Sequence, residues 1–299
     1  MGNKTFVLQS QIERKTGFRI DQLRKWRQRY GFPPAETGVD GGAIYSNDTI
    51  SKLALIKRLI EAGFPPRHIV GKSINDLNLM LVGVSNLPFV VARSELTASL
   101  IELLSNSKIE EFGRLLLEDR RSKTMLEFCQ NTLGPLTVSI GDAWTKNEID
   151  IYHEHLYTTH VKRLLISETL KFNPIEGYPT FLFALPPNEI HQLGLLMAEA
   201  VIAEYGGRVV NIGADVPLNS IKLAALSVEA DVVAVSFSFA YPVRKILPVL
   251  RHLRHLLPPH IELWAGGSSL VFLKKSPKGV LIIRDLGAAV LKAGAILPR

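Results

Sequence analysis

The run Glu189-Ile190-His191-Gln192-Leu193-Gly194 carries the strongest chemical signal in this 299-residue chain. An imidazole set where a strand hands over to a helix can ligate a transition metal through one ring nitrogen. An acidic residue two positions earlier can hold the other nitrogen and make the ring a better ligand. Upstream, Trp144, Glu154 and His155 add an aromatic ring and polar groups from a helical stretch. Taken singly, a bundle tryptophan is usually core and an adjacent Glu-His pair is usually solvated surface. Together the two groups point to a buried, metal-centred cofactor rather than an ordinary active site.

A scaffold for the histidine is legible around it. Thr180–Ala184, Arg208–Ile212, Asp231–Ser236, Ile261–Ala265 and Gly279–Ile283 are short apolar runs separated by helical stretches. That alternation predicts a parallel sheet covered on both faces, a doubly wound α/β domain of Rossmann or flavodoxin type, whose ligands sit beyond the carboxyl ends of the strands. Asn188, after the first run, is expected to cap a helix reaching about Tyr205. Gly213 and Asp215 follow the second run, Ser236 and Ser238 end the third, and Gly266 and Gly267 end the fourth. All fall at the edge that holds His191, where small residues let a bulky ligand approach the backbone and the serines offer hydrogen bonds.

Ahead of this domain, apolar residues recur at helical spacing from Ser94 to about Lys171, which predicts a four-helix bundle. Residues 8 to 30 outline two short helices around Thr16-Gly17, the second basic from Arg19 to Arg29, and Gly31 to Asn47 suits a wing. The expected division is 1–77, a winged helix-turn-helix; 78–93, a linker; 94–176, the bundle; and 177–299, the α/β domain.

Charge separates these parts. The chain carries a net +7, and residues 1 to 80 hold 13 Lys and Arg against 7 Asp and Glu. A basic N-terminal segment of this kind attracts phosphate backbones through counterion release. Cys129 is the single cysteine, which rules out an intramolecular disulfide or a thiolate-built zinc site and fits a reducing, cytoplasmic setting. No apolar run is long enough to span a bilayer, so no membrane association is expected. No combination of nucleophile, base and oxyanion donors stands out, so a regulator rather than an enzyme is expected.

The N-terminal order resembles the MerR-type winged-helix DNA-binding domain through Leu23-Arg24-Lys25-Trp26, Arg29-Tyr30-Gly31, Gly41-Gly42, Tyr45 and Glu61-Ala62-Gly63. The resemblance implies that the second helix enters the major groove of operator DNA, with Arg19, Arg24, Lys25, Arg27 and Arg29 as contacts and Tyr45 in the wing. Relatives usually place one arginine soon after the prolines and another just before the wing tyrosine. This chain has Pro34-Ala35-Glu36-Thr37 and Ala43-Ile44 there, which removes phosphate contacts and weakens binding uniformly across sequences.

The C-terminal set resembles the cobalamin-binding domain family, with its Asp-x-His-x-x-Gly, Ser-x-(Leu or Thr) and Gly-Gly motifs. That resemblance makes His191 the lower axial ligand of cobalt and gives the small and hydroxyl residues the nucleotide tail. Glu189 stands for the usual Asp, and Ser238 takes the third place of the serine motif. Over nearly its whole length the chain resembles the light-sensing, cobalamin-dependent MerR-type regulators of the CarH/LitR family. There the tryptophan of Trp-x9-Glu-His packs over the upper axial ligand and the Glu and His contact the adenosyl group, roles that would pass to Trp144, Glu154 and His155.

The implied cofactor is adenosylcobalamin, with methylcobalamin as an alternative. The implied partners are double-stranded operator DNA and further copies of the chain, as a dimer or tetramer. Some family members follow the tryptophan with a histidine that captures cobalt after light; here it is Thr145, and His153, His155 and His160 stand open as substitutes. Two other readings remain beside this one: a cobalamin sensor without photochemistry, and a corrinoid carrier for methyl transfer.

Overall fold

The computed structural model describes residues 6–38, 42–61, 66–74, 77, 94–145, 148–172, 174, 179–238, 241–273 and 276–296. The linker expected at 78–93, together with Gly41, Ala62 and Gly63, lies outside them.

The N-terminal part runs β1 (Phe6–Leu8), α1 (Gln9–Thr16), α2 (Ile20–Tyr30), β2 (Glu36–Thr37), β3 (Ala43–Ser46), α3 (Asn47–Glu61) and α4 (Pro66–Ile69). The turn between α1 and α2 is made by Gly17 at φ +69°, and Gly31 ends α2 in the left-handed region, donating its N–H to Arg27 O. Ile12, Leu23, Trp26, Leu53, Ile56 and Leu59 form one buried core. The wing expected from Gly31 to Asn47 is two strands of a three-stranded antiparallel sheet in the order β1-β3-β2. Its third strand, β1, is too short to announce itself by alternation.

The bundle comprises α5 (Glu95–Ser105), α6 (Ile109–Arg121), the short α7 (Met125–Phe128), a π-helical turn (Cys129–Leu133), α8 (Gly134–Thr145) and α9 (Ile151–Thr169). Ser94 caps α5 through the Thr97 N–H, and Thr124 with Glu127 closes a capping box on α7. Leu100, Leu104, Phe112, Leu116, Tyr157 and Leu165 are among the residues of its core.

The C-terminal part alternates β4 (Thr180–Ala184), α10 (Leu193–Glu204), β5 (Arg208–Asn211), α11 (Leu218–Ser227), β6 (Val232–Ser236), α12 (Val243–Leu256), β7 (Glu262–Gly266), a 3₁₀ turn (Ser268–Phe272), β8 (Val280–Ile282) and α13 (Leu286–Ile296). All five strands are parallel in the order β5-β4-β6-β7-β8. This is the flavodoxin-like order, and its topological switch falls between β4 and β6. The loops that leave those two strands carry His191 and Ser238.

Bundle and sheet share a core. Leu196, Ala200 and Val201 of α10 belong to the apolar cluster of the bundle. A buried ionic cluster crosses the same boundary: Arg120 of α6 meets Glu168 at 3.3 Å and Glu204 of α10 at 3.1 Å, while Glu204 also accepts the Met125 N–H at 2.6 Å. Glu204 thereby fixes the entry to α7 and the π-turn against the α/β domain.

Candidate corrinoid site and DNA-reading surface

The loop after β4 does not start a helix at Asn188. Asn188 sits at φ +68°, its N–H donating to Asp215 Oδ1 at 2.7 Å, and α10 begins only at Leu193. The expectation of a cap fails because asparagine also tolerates the left-handed conformation, and a turn used it for that. His191 is consequently held in a loop.

Hydrogen bonds define that loop. Glu189, 1% exposed, accepts the His191 N–H at 2.9 Å and faces His191 Nδ1 at 2.8 Å through Oε1, while its Oε2 accepts the Ser238 N–H at 2.7 Å. Ser238 Oγ lies 3.1 Å from the same ring nitrogen. Burial pushes the Glu189 carboxyl up, but the hydrogen bonds from His191 and Ser238 outweigh it and hold the group below its ordinary value. With Nδ1 held by the carboxylate, Nε2 is the ring nitrogen that could reach a metal, on a side chain that is 55% exposed. The extra methylene of Glu189 spans the switch point, joining the loop after β4 to the loop after β6.

The neighbouring loops complete the edge. Asp215, at φ +55°, donates its N–H to Glu189 O at 3.0 Å, and Gly213, at φ +86°, accepts the Leu185 N–H at 2.9 Å. Gly267 stands at φ +101°, and a Cβ there would lie 2.3 Å from Phe237 O, so no other residue fits. Below this rim a cavity of about 320 Å³ runs between the sheet, α10, α13 and the bundle. Gly194, Ser236, Gly266 and Gly267 line it from the α/β domain, and Cys129 and Thr137 line it from the bundle. Ser236 is buried, with its hydroxyl toward Gly194.

The residues expected above the ligand lie on the bundle. Trp144 packs against its core near the end of α8, and Thr145 is the last residue of that helix. Glu154 and His155, 39% and 71% exposed, pair with each other at 2.9 Å, and Thr158 donates to Glu154 at 2.8 Å. None of the three lines the cavity that reaches the sheet. His153 is buried at the start of α9; its Nδ1 accepts the Asp150 N–H at 3.0 Å, and its Nε2 has no partner among the described residues. His160 packs edge-on against Phe112, and burial lowers its pKa.

Comparison with known proteins gives this arrangement a context. Residues 9–72 match the model of the MerR HTH family regulatory protein, and residues 94–166 match that of a B12 binding domain. The HTH-type transcriptional repressor CarH of Myxococcus xanthus is 23% identical over 276 residues, covering 90% of this chain and 91% of the relative. The HTH-type transcriptional repressor CarA of the same organism is 26% identical over 232 residues, covering 76% and 74%. The chain is a homologue of CarH and CarA. The Methanosarcina barkeri monomethylamine corrinoid protein, at TM-score 0.52 and 14% identity, matches 69% of this chain with its whole length and shares the fold.

A B12 group suits the residues present in this CarH and CarA homologue. His191 Nε2 projects from a fixed ring, the cavity lies within the roughly 300–1,000 Å³ usual for small-molecule sites, and Gly267 keeps its rim clear of side chains. Among the described residues no group of three or more His, Cys, Asp or Glu could hold a metal. The bundle wall of the cavity, Cys129 to Val138, is absent from the expected site residues. Its signal, a π-turn beside Gly134, cannot be read from residue types.

On the DNA-reading side, Arg19, Arg24, Lys25 and Arg29 are exposed along α2, with Arg24 within 3.6 Å of Asp21. The other two expected residues are engaged within the domain. Tyr45 is 2% exposed, and Arg27 donates to its hydroxyl at 2.8 Å and to Pro33 O at 3.0 Å. These two side chains brace α2 on the wing. Among the described residues, no helix is long and apolar enough to cross a membrane.

Proposed function

We propose that this regulator senses light through a bound alkylcobalamin, adenosylcobalamin first and methylcobalamin second, and that its oligomeric state, dimer or tetramer, sets its hold on operator DNA. The observation that carries this reading is the Glu189-held His191 at the switch point of the sheet, above a cavity closed by the bundle, in a chain that opens with a winged helix. When bound, the cofactor supplies a carbon–cobalt bond that light can cleave. His191 would ligate cobalt from below and Glu189 would orient it. Gly194, Gly213, Asp215, Ser236, Ser238, Gly266 and Gly267 would shape the seat of the nucleotide tail, and Trp144, Glu154 and His155 would cover the upper face.

The division 1–77, 78–93, 94–176 and 177–299 belongs to the same proposal, as do repression and a cytoplasmic location. Each winged domain has few free cations on α2, so linking copies through the C-terminal part would raise operator affinity by effective concentration. Thr145 favours one second reading, a cobalamin sensor without photochemistry, since a hydroxyl is a poor substitute for imidazole at cobalt. A corrinoid carrier for methyl transfer has no use for the basic winged domain.

The test is to incubate the full-length protein with adenosylcobalamin in darkness, then record absorbance, mass by size exclusion and operator binding before and after illumination. Co-elution of the corrinoid with a light-dependent fall in mass and DNA affinity is expected. Failure of any corrinoid to co-elute sinks the proposal. Binding without a light effect leaves the dark sensor standing in its place.

A further inference from the structure

The solvent face of α12 has no part in the corrinoid site. Its apolar residues Ile246, Leu250 and Leu253 are buried against the sheet and α11, on the side turned away from the bundle. The opposite side carries Arg244, Lys245, Arg251, His252 and His255, all exposed, and α12 has no acidic residue. Residues 177–299 hold 12 Lys and Arg against 8 Asp and Glu, while residues 94–176 hold 9 against 13, so the α/β domain has a positive excess of its own. Among the described residues, Arg244, Lys245 and Arg251 enter no ion pair. Arg254, by contrast, donates to the carbonyls of Leu257, Pro258 and Ile261 and closes the end of the helix. Its stem lies against Gly279, which brings the exposed Lys278 to the same end.

We propose that this face of α12 is a second DNA-contacting surface, which grips the phosphate backbone without reading sequence and works beside the winged domain. From Arg244 to Arg251 is about 10 Å along the helix, and one strand of B-DNA offers a phosphate every ~3.4 Å of axis, so the three cations can meet separate phosphates. An anionic membrane is the poorer fit. A helix that lies in a lipid surface sinks its apolar face into it, and here that face is held by the sheet. A protein partner fits less well too, because interface cores are built of large apolar side chains and none of those exposed among the described residues is on α12. Nothing in this role depends on the corrinoid, only on the chain's work on duplex DNA.

The experiment follows the fluorescence anisotropy of a labelled, mixed-sequence DNA duplex titrated in darkness with full-length protein, with and without adenosylcobalamin, over a series of KCl concentrations. The triple variant Arg244→Ala/Lys245→Ala/Arg251→Ala is expected to bind at least about tenfold more weakly at physiological salt and to lower the slope of log K against log salt by about 2 to 3. Arg208→Ala/Lys292→Ala, which removes exposed cations from elsewhere on the domain, should change neither. An unchanged slope in the triple variant overturns the proposal, and so does a parent protein with no measurable hold on the duplex. An equal loss per charge in the double variant would mark a general effect of net charge and overturns it as well. A lower mass of the triple variant by size exclusion would give the face to contacts between copies. Lost sedimentation with phosphatidylserine vesicles, with DNA binding intact, would give it to a membrane; either result overturns the proposal. If no adenosylcobalamin is taken up, the proposed function falls and the DNA result stands on its own.

Discussion

The lower and upper halves of the candidate site are built by different means. Below, both Glu189 oxygens are engaged, and four loops are cross-braced by backbone bonds such as Asp215 N–H to Glu189 O and Val216 N–H to Leu185 O. Above, Glu154 and His155 rest mainly on each other at the surface of one helix. Loops at the edge of a parallel sheet are fixed from several strands at once, so a ligand arriving there meets a geometry already set. Residues on a helix face have only their own helix to hold them. The sheet edge is therefore preorganised, whereas Glu154 and His155 are held mainly from within their own helix.

The sharpest way to break the lower half is Gly267→Ala. The new methyl would meet Phe237 O at 2.3 Å from a backbone at φ +101°, and backbone cannot yield as a side-chain tip can. A loss of about 2–4 kcal/mol is expected in the urea unfolding transition of the C-terminal part. A variant within about 1 kcal/mol of the parent would show the rim to be plastic. Next is Glu189→Ala, which should weaken cobalamin binding by about 10–100-fold, the usual cost of losing the partner of a metal-bound imidazole. Glu189→Asp should lose part of that, because the shorter side chain cannot span from His191 to Ser238. An aspartate variant as good as the parent would mean that the bond to Ser238 is idle.

The same contrast decides what the sequence makes legible. The strands were readable as continuous apolar runs because each is buried on both faces, and the order of Gly213, Ser236 and Gly266 along them placed the site edge. Asn188 misled because one residue type serves both caps and left-handed turns, and only the tertiary hydrogen bond from its N–H to Asp215 chooses between them. The fold of the winged domain was equally clear, and Tyr45 lies in β3 as the wing requires, but its burial could not be read, since an amphipathic ring suits either side of a sheet. Only the sheet edge of the cavity, Gly194, Ser236, Gly266 and Gly267, could be read. Its other walls come from the π-turn of the bundle, α10 and α13, which lie far apart in sequence.

In the winged domain the contrast recurs between Arg27, anchored on Tyr45 and Pro33, and Arg24, Lys25 and Arg29, which project from α2. Tyr45→Phe removes the acceptor from Arg27 Nη2 and should cost about 1 kcal/mol of stability. It should leave the salt dependence of DNA binding unchanged, whereas Lys25→Ala should reduce that slope by about 0.9 if it neutralises one phosphate. A salt slope that falls with Tyr45→Phe would return the tyrosine to the DNA surface.

The smallest effect belongs to the upper half and tests the comparison from its weak side. His155 is 71% exposed and its carboxylate partner, Glu154, is also held by Thr158, so the pair has little to lose without a ligand. His155→Ala should change the stability of the unliganded protein by no more than about 0.5 kcal/mol, because exposed ion pairs are weak. Any function of this histidine should then emerge only in the cobalamin complex, as a smaller stabilisation by ligand than the parent shows. A large loss in the unliganded protein would mean that the upper half is braced as firmly as the lower one, and the distinction between a fixed grip and an adaptable cover would not hold.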